Sequence, residues 1–172
     1  MIILIGGGSC SGKTTLAQLL ATELNIPLIS LDQFFRRDDP TAPHITLNNQ
    51  QLFDCNHPET IDLPLALAHI NQNPAPKIIE GHFALTYPEL RTLANIKVFI
   101  TCPPKIREQR RLTRDLANKK GTPEQILAYY QASAIPGFEK HIAPSQIHAD
   151  LNLSGEEDPK VNLNRILEHL QS

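Results

Sequence analysis

The chain has 172 residues and a formal net charge of −2 at pH 7, so we expect a single domain over residues 1–172 with a core of ordinary size. This charge gives no general attraction to nucleic acid or to a membrane surface, so any basic site must be local. Its cysteines are three in number and lack zinc-ligand spacing, which favours reduced thiols in a cytoplasmic protein. No apolar run has the length of a membrane span or the form of a signal peptide.

The first segment of the chain combines an apolar run, a glycine-rich loop and a helical pattern. Residues 1–5 read Met-Ile-Ile-Leu-Ile, which predicts a short β-strand. Residues 7–14 read G-x-x-x-x-G-K-T, the pattern of a phosphate-binding loop, and leucines at helical spacing follow. Glycine lets the backbone approach a polyphosphate closely, and the free N–H groups at the start of a helix attract an anion. The segment therefore predicts a nucleotide-binding site.

Individual residues of this loop have distinct expected roles. Lys13 should reach the β- and γ-phosphates, and the Thr14 hydroxyl should hold Mg²⁺. We interpret Cys10 as a small tolerated side chain rather than as a redox switch. The expected nucleotide contacts from the loop are Gly7, Gly8, Ser9, Cys10, Ser11, Gly12, Lys13, Thr14 and Thr15.

A second apolar run, residues 27–31, predicts a strand that ends at Asp32. In an open α/β sheet, ligands bind beyond the carboxyl ends of the strands. Asp32 is therefore a candidate general base for a substrate hydroxyl, with a share in the Mg²⁺ shell. The alternative is an aspartate that caps a turn or a helix. The polar, proline-containing residues up to about 58 predict a loop.

Residues 57–62 lead into a predicted helix that ends near Asn71, and residues 77–81 predict a third strand. This strand carries Glu80 at its end, where a carboxylate can hold Mg²⁺ through water. The alternative is a glutamate that faces solvent. Residues 96–102 predict a fourth strand, which two prolines end.

The next predicted helix carries arginines at i, i+3, i+4 and i+7, on one face. Four like charges on one stripe are unfavourable by a few tenths of a kcal/mol per close pair, and a bound anion would reverse this effect. We interpret residues of about 103–121 as a lid over a triphosphate. The alternative is a solvated face eased by neighbouring acids. The arginines are Arg107, Arg110, Arg111 and Arg114.

The last third of the chain predicts two helices and a strand. Thr122 can cap a helix that runs toward Pro136, and Gln125 completes a capping box. Residues 147–153 predict a fifth strand, and leucines and an isoleucine at helical spacing near the end predict a sheet-covering helix. Alternating strands and helices predict an α/β three-layer fold with a five-stranded, mostly parallel sheet.

Six segments, taken in chain order, resemble the uridine kinase family, within the phosphoribulokinase and uridine kinase group of P-loop kinases. They are GGGSCSGKTT, LDQFF, NHPETID, IIEG, RRLTRD and HIAPSQIHAD. The resemblance covers nearly the whole chain. It implies a P-loop kinase fold and the ATP- and Mg²⁺-dependent phosphorylation of a nucleoside 5′-hydroxyl, of uridine or cytidine in the first place. It also implies a small-molecule partner, and family members often assemble as homo-oligomers.

The resemblance also implies roles for individual residues. Asp32 matches the catalytic base, acting with Lys13 and Arg114, and Thr14 and Glu80 match the Mg²⁺ shell. Contacts to the ATP triphosphate are implied for the lid residues Arg110, Arg114 and Lys119. A second set of residues is implied at the nucleoside, either as direct contacts or as members of the segments that shape its pocket. These residues are Asp32, Phe35, Asn56, His57, Arg111 and Tyr129.

The chain departs from the family pattern at the acceptor end. Asn56 replaces an aspartate that binds ribose, and Tyr129 replaces a glutamine that helps to hold the base. The hairpin that recognises the pyrimidine is missing between the helix ending near Asn71 and the third strand. Nicotinamide riboside, a sugar or a pantothenate-like alcohol are therefore alternative acceptors. A nucleotide-dependent switch is a further alternative, although residues 118–121 read N-K-K-G and not the guanine-reading N-K-x-D.

Overall fold

The computed structural model describes residues 1–171. The strands are β1 (Ile2–Gly7), β2 (Leu28–Ser30), β3 (His44–Leu47), β4 (Gln50–Phe53), β5 (Lys77–Glu80), β6 (Ile96–Thr101) and β7 (Leu151–Ser154). The α-helices are α1 (Lys13–Leu24), α2 (Leu63–Gln72), α3 (Pro88–Leu93), α4 (Pro104–Ala117), α5 (Pro123–Tyr129), α6 (Ile135–Gly137) and α7 (Pro159–Gln171). None of the helices within residues 1–171 combines the length and the apolar character that spanning a bilayer requires.

Five strands form one parallel sheet in the order β2-β5-β1-β6-β7, and β1 lies at its centre. Ser30 of β2 and Ile5 of β1 both pair with Glu80 of β5 in the register of the sheet. The carboxyl ends of these strands therefore meet at one edge, where ligands bind in folds of this type. The predicted three-layer α/β fold with a five-stranded parallel sheet is confirmed.

The core lies on both faces of this sheet, which explains why its strands read as continuous apolar runs. Ile3 and Ile5 of β1 pack on one face with Leu20 of α1, and α7 covers the same side. Leu4 points to the opposite face and packs with Ile70 of α2. All of these side chains are fully buried. The two helical layers fix the sheet edge that carries the polar residues.

A β-hairpin occupies part of the segment for which the sequence predicts a loop. Strands β3 and β4 pair antiparallel and form a separate two-stranded sheet. Asn48 and Asn49 connect them with φ values of 51° and 62°. Positive φ at both central residues is the pattern of the tight hairpin turn, and asparagine tolerates it better than most residues do. The prediction of a loop through residue 58 is wrong at this point.

The C-terminal third differs from the prediction in two details. The capping box of Thr122 and Gln125 starts α5 as expected, but the helical chain continues beyond Pro136 through π-helical turns at residues 130–134 and 138–142. Residues 143–148 form a 3-10 helix, so the fifth strand of the sheet begins at Leu151 and not at residue 147. The short helix α3 was not predicted from the sequence.

Candidate active site

The loop between β1 and α1 has the backbone conformation that its glycines permit. Gly7 has a φ of 143°, and a Cβ there would lie 2.6 Å from the carbonyl oxygen of Ile100. Gly12 has a φ of 102° and precedes α1 without offering a side chain that caps the helix. The first N–H groups of α1 are therefore available to an anion. Lys13, the first residue of the helix, is buried beside them.

A cavity of about 400 Å³ opens over this loop, and we call it the loop cavity. It is lined by the loop, by two arginines of α4 and by the segment after β7. The predicted nucleotide-binding residues Gly7, Gly8, Ser9 and Ser11 lie behind it and are buried. Its lining residues are Cys10, Gly12, Lys13, Thr14, Thr15, Arg110, Arg114, Gly155, Glu157 and Pro159.

Oxygen atoms suited to Mg²⁺ converge at the end of β5. The buried carboxylate of Glu80 accepts a hydrogen bond from the Thr14 hydroxyl at 3.2 Å and one from the Ser30 hydroxyl at 2.6 Å. Mg²⁺ prefers such oxygen ligands and takes one or two carboxylates together with phosphate oxygens and water. The donor set of Thr14 and Glu80 therefore fits the ion beside the phosphate loop.

Asp32 lies at the same edge of the sheet, in a single 3-10 turn that follows β2. It stands two residues after Ser30, whose hydroxyl bonds Glu80. Its carboxylate is exposed, makes no hydrogen bond or ion pair within residues 1–171, and lines neither of the two cavities of the site. Its roles as general base and as part of the Mg²⁺ shell stay predictions.

The arginines of α4 divide between two surroundings. Arg107 is buried, with its guanidinium carbon 3.9 Å from the ring centroid of Phe138, and it donates to the carbonyl oxygen of Cys102 at 3.0 Å. A Cβ at Gly8 would lie 2.5 Å from its Nη1 atom, so Arg107 supports the phosphate loop from behind. Arg110 lines the loop cavity and donates to the carbonyl oxygen of Gly155 at 2.9 Å.

Asp115 holds three cations together. Its buried carboxylate accepts a hydrogen bond from Arg114 Nε at 2.9 Å, a closer one from Arg111 Nε, and forms an ion pair with Lys120 at 3.5 Å. Burial alone would raise the pKa of Asp115, but the hydrogen bonds and charges of Arg114 and Arg111 hold it below its ordinary value. Arg111 also donates to the Ser9 hydroxyl at 3.0 Å, which ties this cluster to the phosphate loop.

Lys119 does not join this cluster. It follows the end of α4 with a φ of 54°, is exposed and lines neither cavity. Its role at the triphosphate stays a prediction. The sequence reasoning passed over Lys120, because the two adjacent lysines differ only in which side of the helix end they face.

A second cavity, of about 520 Å³, lies between the hairpin and the helices α4 and α5, and we call it the hairpin cavity. Arg111, Asp115 and Lys120 line it, whereas Arg114 lines the loop cavity. One cluster of ion pairs therefore borders both cavities. The lining residues of the hairpin cavity are Arg37, Leu47, Asn48, Gln50, Leu52, Phe53, Cys55, Arg111, Asp115, Lys120, Gln125, Ile126 and Tyr129.

Tyr129 is a wall of the hairpin cavity, and its hydroxyl is used within the protein. The hydroxyl donates to the carbonyl oxygen of Phe53 at 2.8 Å and accepts from the backbone N–H of Cys55 at 3.2 Å. Burial raises the pKa of Tyr129, so the group stays protonated. The ring lies 5.9 Å from the guanidinium carbon of Arg111. Tyr129 thus joins the hairpin to α5.

The other predicted nucleoside contacts lie behind the walls of the cavity. Phe35 packs edge-on against Phe53 at 5.7 Å between ring centroids. Asn56 is buried and its amide nitrogen donates to the Ser133 hydroxyl at 2.7 Å. His57 accepts the N–H of residue 59 at its Nδ1 atom and stacks edge-on with residue 141. None of the three lines the hairpin cavity, so direct contact with a substrate stays a prediction for them.

His82 is a buried residue that the sequence reasoning did not select. It follows Glu80 by two positions at the end of β5, and neither ring nitrogen has a hydrogen-bond partner. Burial and the charges of Lys13 and Arg111, among others, lower the pKa of His82 well below its ordinary value. Its place two residues after the strand-end acid was the available sequence signal.

Residues 3–130 match the family model described as the AAA domain, so the chain belongs to this family. The chain is 28% identical to "Uridine-cytidine kinase A" of Dictyostelium discoideum, over 99% of this chain and 39% of that protein's length. It is 29% identical to "Uridine kinase" of Shewanella baltica, over 88% of this chain and 85% of that protein. The resemblance to the uridine kinase family is confirmed.

Solved structures share the fold. A shikimate kinase from Bacteroides thetaiotaomicron has a TM-score of 0.65 and 18% identity, with 100% of this chain and 99% of that chain covered. A putative fructose transport system kinase from Silicibacter sp. has a TM-score of 0.60 and 18% identity, with 88% of each chain covered. At this identity the likeness supports the P-loop kinase fold alone.

Proposed function

We propose that the protein is an ATP- and Mg²⁺-dependent kinase that phosphorylates a hydroxyl of a small molecule, with a nucleoside 5′-hydroxyl as the first candidate. The observation that carries the proposal is the arrangement of the two cavities. The loop cavity has the features of a triphosphate site, and the hairpin cavity beside it has the volume of a metabolite site. The ion-pair cluster around Asp115 borders both of them.

In this mechanism the protein mainly positions two reactants and neutralises charge. The loop N–H groups and Lys13 hold the phosphates, and Arg110 and Arg114 offset the charge that develops during transfer. The acceptor oxygen attacks the γ-phosphorus as the bond to ADP breaks, and Asp32 takes the hydroxyl proton. Thr14 and Glu80 would hold Mg²⁺, and the bound ion would supply further neutralisation of the phosphate charge.

Uridine and cytidine are the first acceptors to test because relatives carry these names. Two observations favour nicotinamide riboside or another small alcohol as the second candidate. The connection between α2 and β5 is only residues 73–76, and the Tyr129 hydroxyl is already bonded to the hairpin. The acceptor site is thus built differently from the pattern of the uridine kinases.

The test is ADP release with ATP and Mg²⁺ against uridine, cytidine, nicotinamide riboside, pantothenate and simple sugars. We expect acceptor-dependent turnover with at least one of them. ATP binding without turnover on the whole panel would contradict the proposal and favour a nucleotide-dependent switch. Turnover only on a non-pyrimidine would keep the kinase and select the second candidate.

A further inference from the structure

The hairpin cavity has an excess of positive charge. Arg37, Arg111 and Lys120 line it, and Asp115 is the one carboxylate among its lining residues. That carboxylate is not available to balance them all, because it also pairs with Arg114 on the side of the loop cavity. A ligand that enters the hairpin cavity therefore meets three cations and a single carboxylate, which pairs with Arg111 and Lys120 and not with Arg37.

Among the cations that line the hairpin cavity, Arg37 lacks a counter-charge most clearly. Its guanidinium carbon lies 4.9 Å from the ring centroid of Phe35 and 5.3 Å from that of Phe53, so two aromatic rings hold the group at the cavity. Within residues 1–171 its side chain makes no hydrogen bond and no ion pair. Such stacking fixes the position of a guanidinium and leaves its N–H groups free for a planar anion.

The neighbouring arginine provides a contrast within the same segment. Arg36 donates from Nε to the Asp39 carboxylate at 3.0 Å and from Nη2 to the Thr41 hydroxyl at 2.7 Å. It also reaches the carbonyl oxygen of Glu59 at 3.1 Å and lines neither cavity. The guanidinium of Arg36 is therefore used in hydrogen bonds within the protein, whereas the N–H groups of Arg37 stay available to a ligand.

The phosphates of the nucleotide do not explain the excess of positive charge in the hairpin cavity. The loop cavity has its own cations in Lys13, Arg110 and Arg114, and Arg37 does not line it. A neutral acceptor would cover the guanidinium of Arg37 without offering a counter-charge, which is unfavourable. A carboxylate or phosphate can instead accept two parallel hydrogen bonds from it.

We infer that the hairpin cavity takes an acceptor that carries a carboxylate or phosphate group in addition to its reacting hydroxyl, and that Arg37 binds this anionic group. The inference rests on the proposed function and specifies its substrate class. The polar side chains of Asn48, Gln50 and Gln125 complete the lining for the uncharged part of the molecule. Arg37 is then a specificity residue rather than a catalytic one.

The test uses pairs of acceptors that differ in one charged group. Nicotinic acid riboside is compared with nicotinamide riboside, pantothenate with pantothenol, and glycerol 3-phosphate with glycerol, the last pair separating phosphate from carboxylate. We expect the member that carries the carboxylate or phosphate group to have the higher kcat/KM in at least one pair. In Arg37→Gln the KM for that acceptor should rise about tenfold or more with kcat nearly unchanged, since a charge-assisted pair is worth about 1.5–3 kcal/mol.

Arg36→Gln is the matched control and should leave the ratio between the two members of each pair unchanged. Preference of the wild-type protein for the member without the carboxylate or phosphate group in every pair, or an unchanged ratio in Arg37→Gln, would overturn the inference. Binding of the same pairs is also measured by calorimetry without turnover. Selective, Arg37-dependent binding of an anion in a protein that releases no ADP would refute the proposed kinase activity and keep the anion site, whereas equal binding would refute the anion site itself.

Discussion

The loop cavity and the hairpin cavity are built in different ways. Half of the residues that line the loop cavity come from one contiguous stretch, the end of the loop after β1 and the first turn of α1, and the loop has Gly7 and Gly12 in conformations that side chains would oppose. The hairpin cavity is formed by side chains from separate parts of the chain, namely Arg37, the hairpin and the residue Cys55 after it, α4 with Lys120 beyond its end, and α5. The difference teaches that phosphate binding is specified by local sequence, whereas the choice of acceptor depends on tertiary contacts. Variants on each side should therefore change different kinetic constants.

The largest effect is expected at Asp32. In Asp32→Asn the group that takes the hydroxyl proton is lost while the loop cavity is untouched, so turnover should fall at least about a hundredfold and ATP should still bind. Initial rates and a fluorescent-nucleotide titration measure the two quantities. Asp38→Asn changes an exposed carboxylate nearby and should behave as wild type. Undiminished turnover in Asp32→Asn would remove Asp32 from the mechanism.

A smaller effect is expected at Arg114, which lines the loop cavity. Arg114→Ala removes a charge that offsets the transferred phosphoryl group, so kcat should fall roughly tenfold to a hundredfold while the KM of the acceptor changes little. The side chain is 45% exposed, so stability should hardly change. Lys105→Ala on the same helix is the control. The reverse pattern, a higher acceptor KM at constant kcat, would move Arg114 to the acceptor side.

The hairpin side is probed by Tyr129→Phe. This change removes the hydrogen bonds to Phe53 and Cys55 that join the hairpin to α5, at a cost of about 1 kcal/mol. We expect the acceptor KM to rise several-fold and the ATP KM to stay constant. Tyr130→Phe loses a bond to Pro104 instead and should spare the acceptor KM. Equal changes in both Michaelis constants would contradict the assignment of Tyr129 to the acceptor side.

The smallest effect concerns the turn before the hairpin. Hydrogen bonds from Thr41 and Arg36 lower the pKa of Asp39 from 3.8 to about 2. Because the pKa is lowered in the folded state, the stabilisation is present above pH 3.8 and is lost as the pH falls toward 2. The difference in Tm between the wild-type protein and Asp39→Asn should therefore shrink between pH 4 and pH 2. A difference that is constant over this range would contradict the role of the ionised carboxylate.

The sequence predicted the loop side of the site because each of its signals is local. The glycine spacing placed Lys13 and Thr14 at the start of a helix, and strand-end positions placed Asp32 and Glu80 at one edge of the sheet. These features depend only on the order of strands and loops. The structure brings Thr14 and Glu80 within hydrogen-bonding distance, as this reasoning expects.

The hairpin side could not be predicted in the same way. Asn48-Asn49 between alternating apolar residues was a usable turn signal, but the polar and proline-containing surroundings favoured a loop. The choice between Lys119 and Lys120, and the burial of Arg107 behind the phosphate loop, depend on how α4 ends and packs. Equal spacing on a helix cannot show which arginine meets an aromatic ring and which meets a cavity.

In the proposed kinase, the shared carboxylate of Asp115 would couple the binding of nucleotide and acceptor. Phosphates that draw Arg114 away leave this carboxylate to Arg111 and Lys120, and so reduce the positive charge offered to an anionic acceptor. By thermodynamic linkage, the factor by which the nucleotide weakens acceptor binding equals the factor by which the acceptor weakens nucleotide binding. In the proposed kinase, such antagonism would favour departure of the products, since the Asp115 cluster borders the sites of both ADP and the phosphorylated acceptor.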